Sequence, residues 1–171
     1  FNAYNPGWDG TSELRATVEE SETDLTIAQT VNAYSQGSPE RTVSVVLSPA
    51  DSSDNPSTAR QFVQSGGTLV IAEDYGAGGN ELLEAVGAEA RINDTQLRDE
   101  RNAGPSPAFP VATPATNHTY TRNVNSVLLN RGGTVEPANA TVLLHSSQFS
   151  YLDQNENGRL DTDETLARHP V

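Results

Sequence analysis

Two short apolar runs constrain the fold more than any other feature of this chain. TVSVVL at residues 42–47 and TLVIA at residues 68–72 are rich in β-branched residues and too short for helices, so both read as strands. Between them, Pro56 opens a helical segment over residues 56–64, in which Phe62 and Val63 face the core, and Gly66-Gly67 closes it. Two strands joined through a helix are most simply parallel, linked by a right-handed crossover. The near-continuous apolar character of residues 42–47 predicts a buried, central strand.

The remaining elements are assigned around this unit. Thr11 or Ser12 can cap a helix running through Val18, with Leu14 and Val18 four apart on one face. Residues 80–86 form a third helix, carrying Leu82, Leu83 and Val86 on one side and ending at Gly87. A short strand is expected at residues 25–27, residues 29–35 are ambiguous, and residues 124–130 and 141–145 are further strands. Residues 98–121 contain Pro105, Pro107, Pro110 and Pro114 and read as a long excursion with one edge strand near residues 109–113. At 171 residues the chain suits one domain, 1–171. The expected fold is a three-layer α/β domain, Rossmann-like or flavodoxin-like. Its mostly parallel sheet is built from residues 43–47, 69–72, 124–129 and 142–145.

Charge narrows the function classes. There are 23 acidic residues against 10 basic ones, a formal net charge of −13, and every basic residue is arginine. Such a surface repels nucleic acid and anionic membrane, which need clustered Lys and Arg. The absence of lysine beside arginine points to molar salt, where self-repulsion is screened over a few Å. Without cysteine, disulfides, thiolate metal sites and cysteine nucleophiles are excluded. No apolar run approaches the roughly 20 residues of a membrane-spanning helix. The chain begins at Phe1 and contains no methionine, as expected of an excised segment or a processed product. Asn-x-Thr acceptors at Asn93, Asn117 and Asn139 favour an exterior location.

The most specific motif spans residues 153–164, DQNENGRLDTDE, which matches the 12-residue calcium loop at its informative positions. Asp153, Asn155 and Asn157 supply oxygens at positions 1, 3 and 5, and Gly158 permits the reversal at position 6. The carbonyl of Arg159 serves position 7, Asp161 position 9, and Glu164 the bidentate position 12. Leu160 is expected to point away and pack on the core. The segment before the loop is too short for a full entering helix, and Pro170 limits an exiting one, so a structural clip is expected rather than a sensor. Calcium is the expected ion, with a dissociation constant of about 10⁻⁵ to 10⁻³ M.

Catalytic candidates are sparse. His145 ends the strand TVLLH, at an edge where open parallel sheets place ligands. Glu73 and Asp74 follow strand TLVIA and face the same expected crevice. Gly76, Gly78 and Gly79 precede a helix, so their amides can cradle an anion. His118 lies in the Pro-rich excursion and His169 near the terminus. No phosphate-loop, nucleophile-elbow or His-Glu-x-x-His pattern is present.

The stretches Tyr4-Asn5-Pro6-Gly7, Gly10-Thr11-Ser12, VVLSP at residues 45–49, ARQFVQSGGTLVIAED at 59–74, NELLEAVGAEARI at 80–92, residues 118–130, ATVLLHSS at 140–147 and YLDQNENGRLDTDE at 151–164 together cover most of the chain. In them the sequence resembles the DUF4350 family of haloarchaea. That family resembles the class I glutamine amidotransferase-like α/β domains and implies an exported or membrane-anchored protein. Glutamine hydrolysis needs a nucleophilic Cys and a His-x-Glu pair, and neither is here. The resemblance also implies a further strand and helix after Val171, so a C-terminal truncation is expected. The function it implies is a non-catalytic, extracytoplasmic domain that binds a protein or small ligand and is attached in its full-length form to a membrane or envelope component. The alternatives are a hydrolase using His145 or His118 with Glu73 and Asp74, and a purely structural role without a concave site.

Overall fold

Strand β1 (Val43–Leu47) runs parallel to β2 (Thr68–Ala72), in register from Val43 opposite Thr68 to Leu47 opposite Ala72. This is the computed structural model's one parallel pair among the described residues, which are 3–7, 10–21, 23–28, 37–49, 56–74 and 78–171. Helix α1 (Ser12–Glu20) precedes the pair, carries an Arg15–Glu19 ion pair one turn apart along its own face, and buries no side chain. Helix α2 (Pro56–Gln64) connects the two strands as the sequence pattern requires. Gly66, at φ +93°, ends it in a conformation that a side chain resists. Helix α3 (Gly78–Val86) packs against α2, and together they bury Ala59, Phe62 and Leu82.

Beyond α3 the chain is antiparallel, and the expected single parallel sheet is not formed. Strand β3 (Arg91–Ile92) pairs with β7 (Val135–Glu136), and β4 (Leu97–Asp99) with β9 (Ser150–Leu152). In a separate three-stranded sheet, β5 (Val111–Pro114) lies between β6 (Val127–Leu128) and β8 (Leu144–His145). The segments expected at residues 124–129 and 142–145 therefore join neither β1 nor β2. The Pro-rich excursion explains the difference. It supplies β5, expected on an edge, as the central strand, and β5 takes up the main-chain groups of both neighbours antiparallel. The fold is thus a mixed α/β arrangement of several small sheets, mostly antiparallel.

The parallel pair is also not buried on both faces. Val43, Val45 and Val70 alternate outward and stay exposed, while α2 contacts the pair from the other side. Residues 25–27 form no strand, and residues 29–35 lie outside the described residues. No helix among the described residues is long and apolar enough to cross a membrane.

The C-terminal segment closes the antiparallel half. Ala167 bridges to Ser150, and Pro170 to His145. The amide of Val135 donates to the Pro170 carbonyl at 3.0 Å, and that of Val171 to the Leu144 carbonyl at 3.2 Å. The last residues thus return alongside β9 and β8, and residues 153–164 form the reversal between.

Candidate functional site

The loop over residues 153–164 is entered by a strand and left by an extended segment, with both stems held by strand pairing. The first and last positions of the expected ligand set are the buried ones. Asp153 is 1% exposed and Glu164 8%, at the base of a loop whose other residues are largely solvent-facing. One oxygen of Asp153, Oδ2, accepts the Gly158 amide at 2.9 Å across the reversal. The other, Oδ1, is buried without a partner, which is costly for a carboxylate. Glu164 spans the loop's base, with Oε1 accepting the Gln154 amide at 2.9 Å and Oε2 that of Asp161 at 3.0 Å.

Between these ends the amide side chains are already oriented. Asn155 Oδ1 accepts the Asn157 amide at 3.2 Å, and Asn157 Oδ1 accepts the Arg159 amide at 2.8 Å. Their Nδ2 groups converge on Asp161 Oδ2 at 2.8 and 2.6 Å and hold that carboxyl below the usual aspartate range. Each amide or carboxylate oxygen has two lone pairs, so one remains for a cation on Asn155 Oδ1, Asn157 Oδ1 and both oxygens of Glu164, whereas Asp161 Oδ2 accepts two bonds and leaves that carboxylate's Oδ1 to ligate. No compact group of three or more His, Asp or Glu side chains is found among the described residues. The donor set here is instead mixed, with carboxylate, amide and carbonyl oxygens. Such all-oxygen chemistry fits a hard cation such as calcium and not a soft one. Leu160 does not pack on the core as expected. It is 41% exposed, because no flanking helix provides an apolar partner.

Arg98 on β4 was not singled out by any sequence motif. Its Nε lies 3.6 Å from Asp153 Oδ2, and its Nη2 donates to the Gly158 carbonyl at 3.0 Å. Only strand pairing across more than 50 residues of chain, Arg98 opposite Tyr151, brings it under the loop.

A second cluster forms where β1 and β2 end. Glu73 Oε2 accepts the Gly79 amide at 2.8 Å, so the protein's own carboxylate occupies the helix-start donor that was expected to cradle an anion. Gly78 and Gly79 are buried there, and Gly76 lies outside the described residues. Ser48, at φ +46°, offers its hydroxyl to Glu73 Oε1 at 3.3 Å and Asp74 Oδ1 at 3.4 Å. Burial, followed by the charge of Asp74, pushes the Glu73 carboxyl up despite the Gly79 and Ser48 bonds.

The histidines lie elsewhere. His145 is on β8, in the antiparallel sheet, bridged to Pro170. His118 accepts the Tyr120 amide at its own turn, 3.2 Å away. The His169 carbonyl accepts the Ser146 amide and its own amide donates to Ser146 Oγ, both at 2.9 Å, while its Nε2 is buried without a partner; burial pushes its pKa down. It lines a shallow recess of about 160 Å³ together with Leu152, Gln154, Asp163, Thr165 and Ala167, beside the 153–164 loop. Asp99, fully buried, accepts the amides of Arg101 and Asn102 and the Ser147 hydroxyl, a wholly structural use of a carboxylate.

The model of a domain of unknown function, DUF4350, matches residues 3–171, which includes the parallel unit, the strand-end cluster and the 153–164 loop. The chain belongs to the DUF4350 family. No curated protein and no solved structure matches it. In this DUF4350 domain the two clusters are built differently: one is closed on itself by Glu73, and the other leaves a buried oxygen of Asp153 unpaired.

Proposed function

We propose that this DUF4350 domain is a non-catalytic binding domain of a membrane- or envelope-associated protein, working outside the cytoplasm at high salt. A calcium ion in the loop at residues 153–164 clips its C-terminal segment. The observation that carries the calcium assignment is Asp153, a carboxylate 1% exposed with Oδ1 unpartnered, at the first position of a loop of oxygen donors. Asp153, Asn155, Asn157, the Arg159 carbonyl, Asp161 and Glu164 would hold the ion. Magnesium suits the loop less, because it keeps its waters and demands a tight octahedron.

Three further features support this reading. Glu73 engages Gly79 and Ser48, and Asp74 engages Ser48, while His145 belongs to another sheet; acid–base cooperation needs hydrogen-bond reach. The recess of about 160 Å³ falls below the roughly 300 Å³ at which small-molecule sites begin, which favours a protein partner over a small ligand. The acidic, lysine-free composition favours the molar-salt setting of haloarchaea. The β1–α2–β2 unit is the only part of the described residues on which an amidotransferase-like relation can rest; the mostly antiparallel remainder departs from such a fold, and without cysteine no glutamine chemistry is carried.

The test is calorimetric titration of chelator-stripped protein with calcium at fixed high salt, beside Glu164→Gln. The parent should bind with a dissociation constant of about 10⁻⁵ to 10⁻³ M and melt higher in calcium, and E164Q should lose most of both effects. A folded parent with neither heat nor melting shift overturns the assignment.

A further inference from the structure

We infer that Arg98 sets the affinity of the 153–164 loop by acting as a built-in cation that competes with calcium for Asp153; this rests on the calcium reading above. The guanidinium and the carboxylate are both largely shielded, at 14% and 1% side-chain exposure, so their interaction is screened less than that of a surface pair. The pair is nonetheless incomplete. Nε stops 3.6 Å from Oδ2 and makes no hydrogen bond, and Oδ1 has no partner. The guanidinium is held back by its other bonds, from Nη2 to the Gly158 carbonyl at 3.0 Å and from Nη1 to Gln96 Oε1 at 3.4 Å.

This arrangement does two things at once. Without metal, the positive charge keeps Asp153 from standing as an uncompensated buried anion, which would otherwise be strongly destabilising. With metal, the same charge lies next to a ligand carboxylate and repels the incoming dication. Calcium therefore exchanges a partial ion pair for full coordination, and affinity is lowered without loss of a ligand. The loop is held folded in both states, as a clip requires.

The experiment compares the parent with Arg98→Gln and Arg98→Lys by calcium calorimetry and thermal melting, at about 0.5 M and about 3 M potassium chloride. R98Q should bind calcium about tenfold more tightly than the parent, melt lower without metal, and lose part of its gain at the higher salt. R98K, which keeps the charge, should stay within about twofold of the parent. If R98Q unfolds without metal, calcium should restore its fold by replacing the missing charge. Equal or weaker binding by folded R98Q, or an R98Q chain that calcium fails to rescue, overturns the inference while parent binding stands. Absence of binding by the parent removes the calcium reading and this inference with it.

Discussion

The amide of Gly133 donates to the carbonyl of Asp74 at 2.6 Å, tying the end of the parallel pair to the antiparallel half of the molecule. The approach leaves no room for a side chain. A Cβ at position 133 would stand 2.4 Å from the Asn93 carbonyl oxygen and 3.0 Å from that of Asp74. Both neighbours are backbone and cannot swing aside. Gly133→Ala should therefore destabilise the fold by about 2 kcal/mol or more and lower the melting temperature by at least about 5 °C. Thermal melts of the two proteins at the same salt check this.

Glu73 is the group whose pKa burial raises most clearly at the strand-end cluster. Its folded-state pKa lies above the unfolded one, so its contribution is full at acid pH and is lost as pH rises through the folded value. Glu73→Gln mimics the protonated form and can still accept the Gly79 amide. The variant should melt about 1–3 °C above the parent at pH 7, and the two should converge near pH 4. A pH series of melting temperatures reads the difference directly.

His169 behaves in the opposite sense. Burial lowers its pKa, so the folded state resists protonation while the unfolded chain accepts a proton near the ordinary value of about 6.5. Stability is complete above that value and declines as pH falls from it toward the depressed folded one. His169→Asn should remove this acid-side decline. The difference between parent and variant melting curves, measured from about pH 7.5 down to about pH 5, should grow steadily toward acid.

Tyr151 is fully buried, with its hydroxyl donating to Glu100 Oε1 at 2.9 Å. Burial and the Glu100 carboxylate push its ionisation up to about 12. Tyr151→Phe should cost about 1 kcal/mol at neutral pH through the lost bond and the bereft carboxylate. It should also flatten the fall in stability between about pH 10 and pH 12, because a raised pKa gives stability that is lost as pH climbs through it. Denaturant unfolding at neutral and alkaline pH separates the two effects.

The β1–α2–β2 unit was legible because its information is local. Apolar runs of strand length, Pro56 at a helix start and Gly66 past its end lie within 30 residues of chain, and the parallel pair follows from them. The loop at residues 153–164 was legible for the same reason, since its oxygen donors recur at fixed short spacing. The outward-facing valines of β1 were misjudged, because an apolar run does not say how many of its faces will be covered.

What only the tertiary structure decided is everything set by distant pairing. β6 and β8 are two residues long and carry too little periodicity to choose a partner, so β5, from the Pro-rich stretch, chose for them. The role of Glu73 turned on where the first turn of α3 docks, which placed the carboxylate on Gly79. Arg98 sits more than 50 positions from Asp153, and its charge meets the loop only because β4 pairs with β9. Composition and spacing determined which atoms this chain can offer a cation. Strand pairing across the antiparallel half decided which of them are buried, and which charge stands beside them.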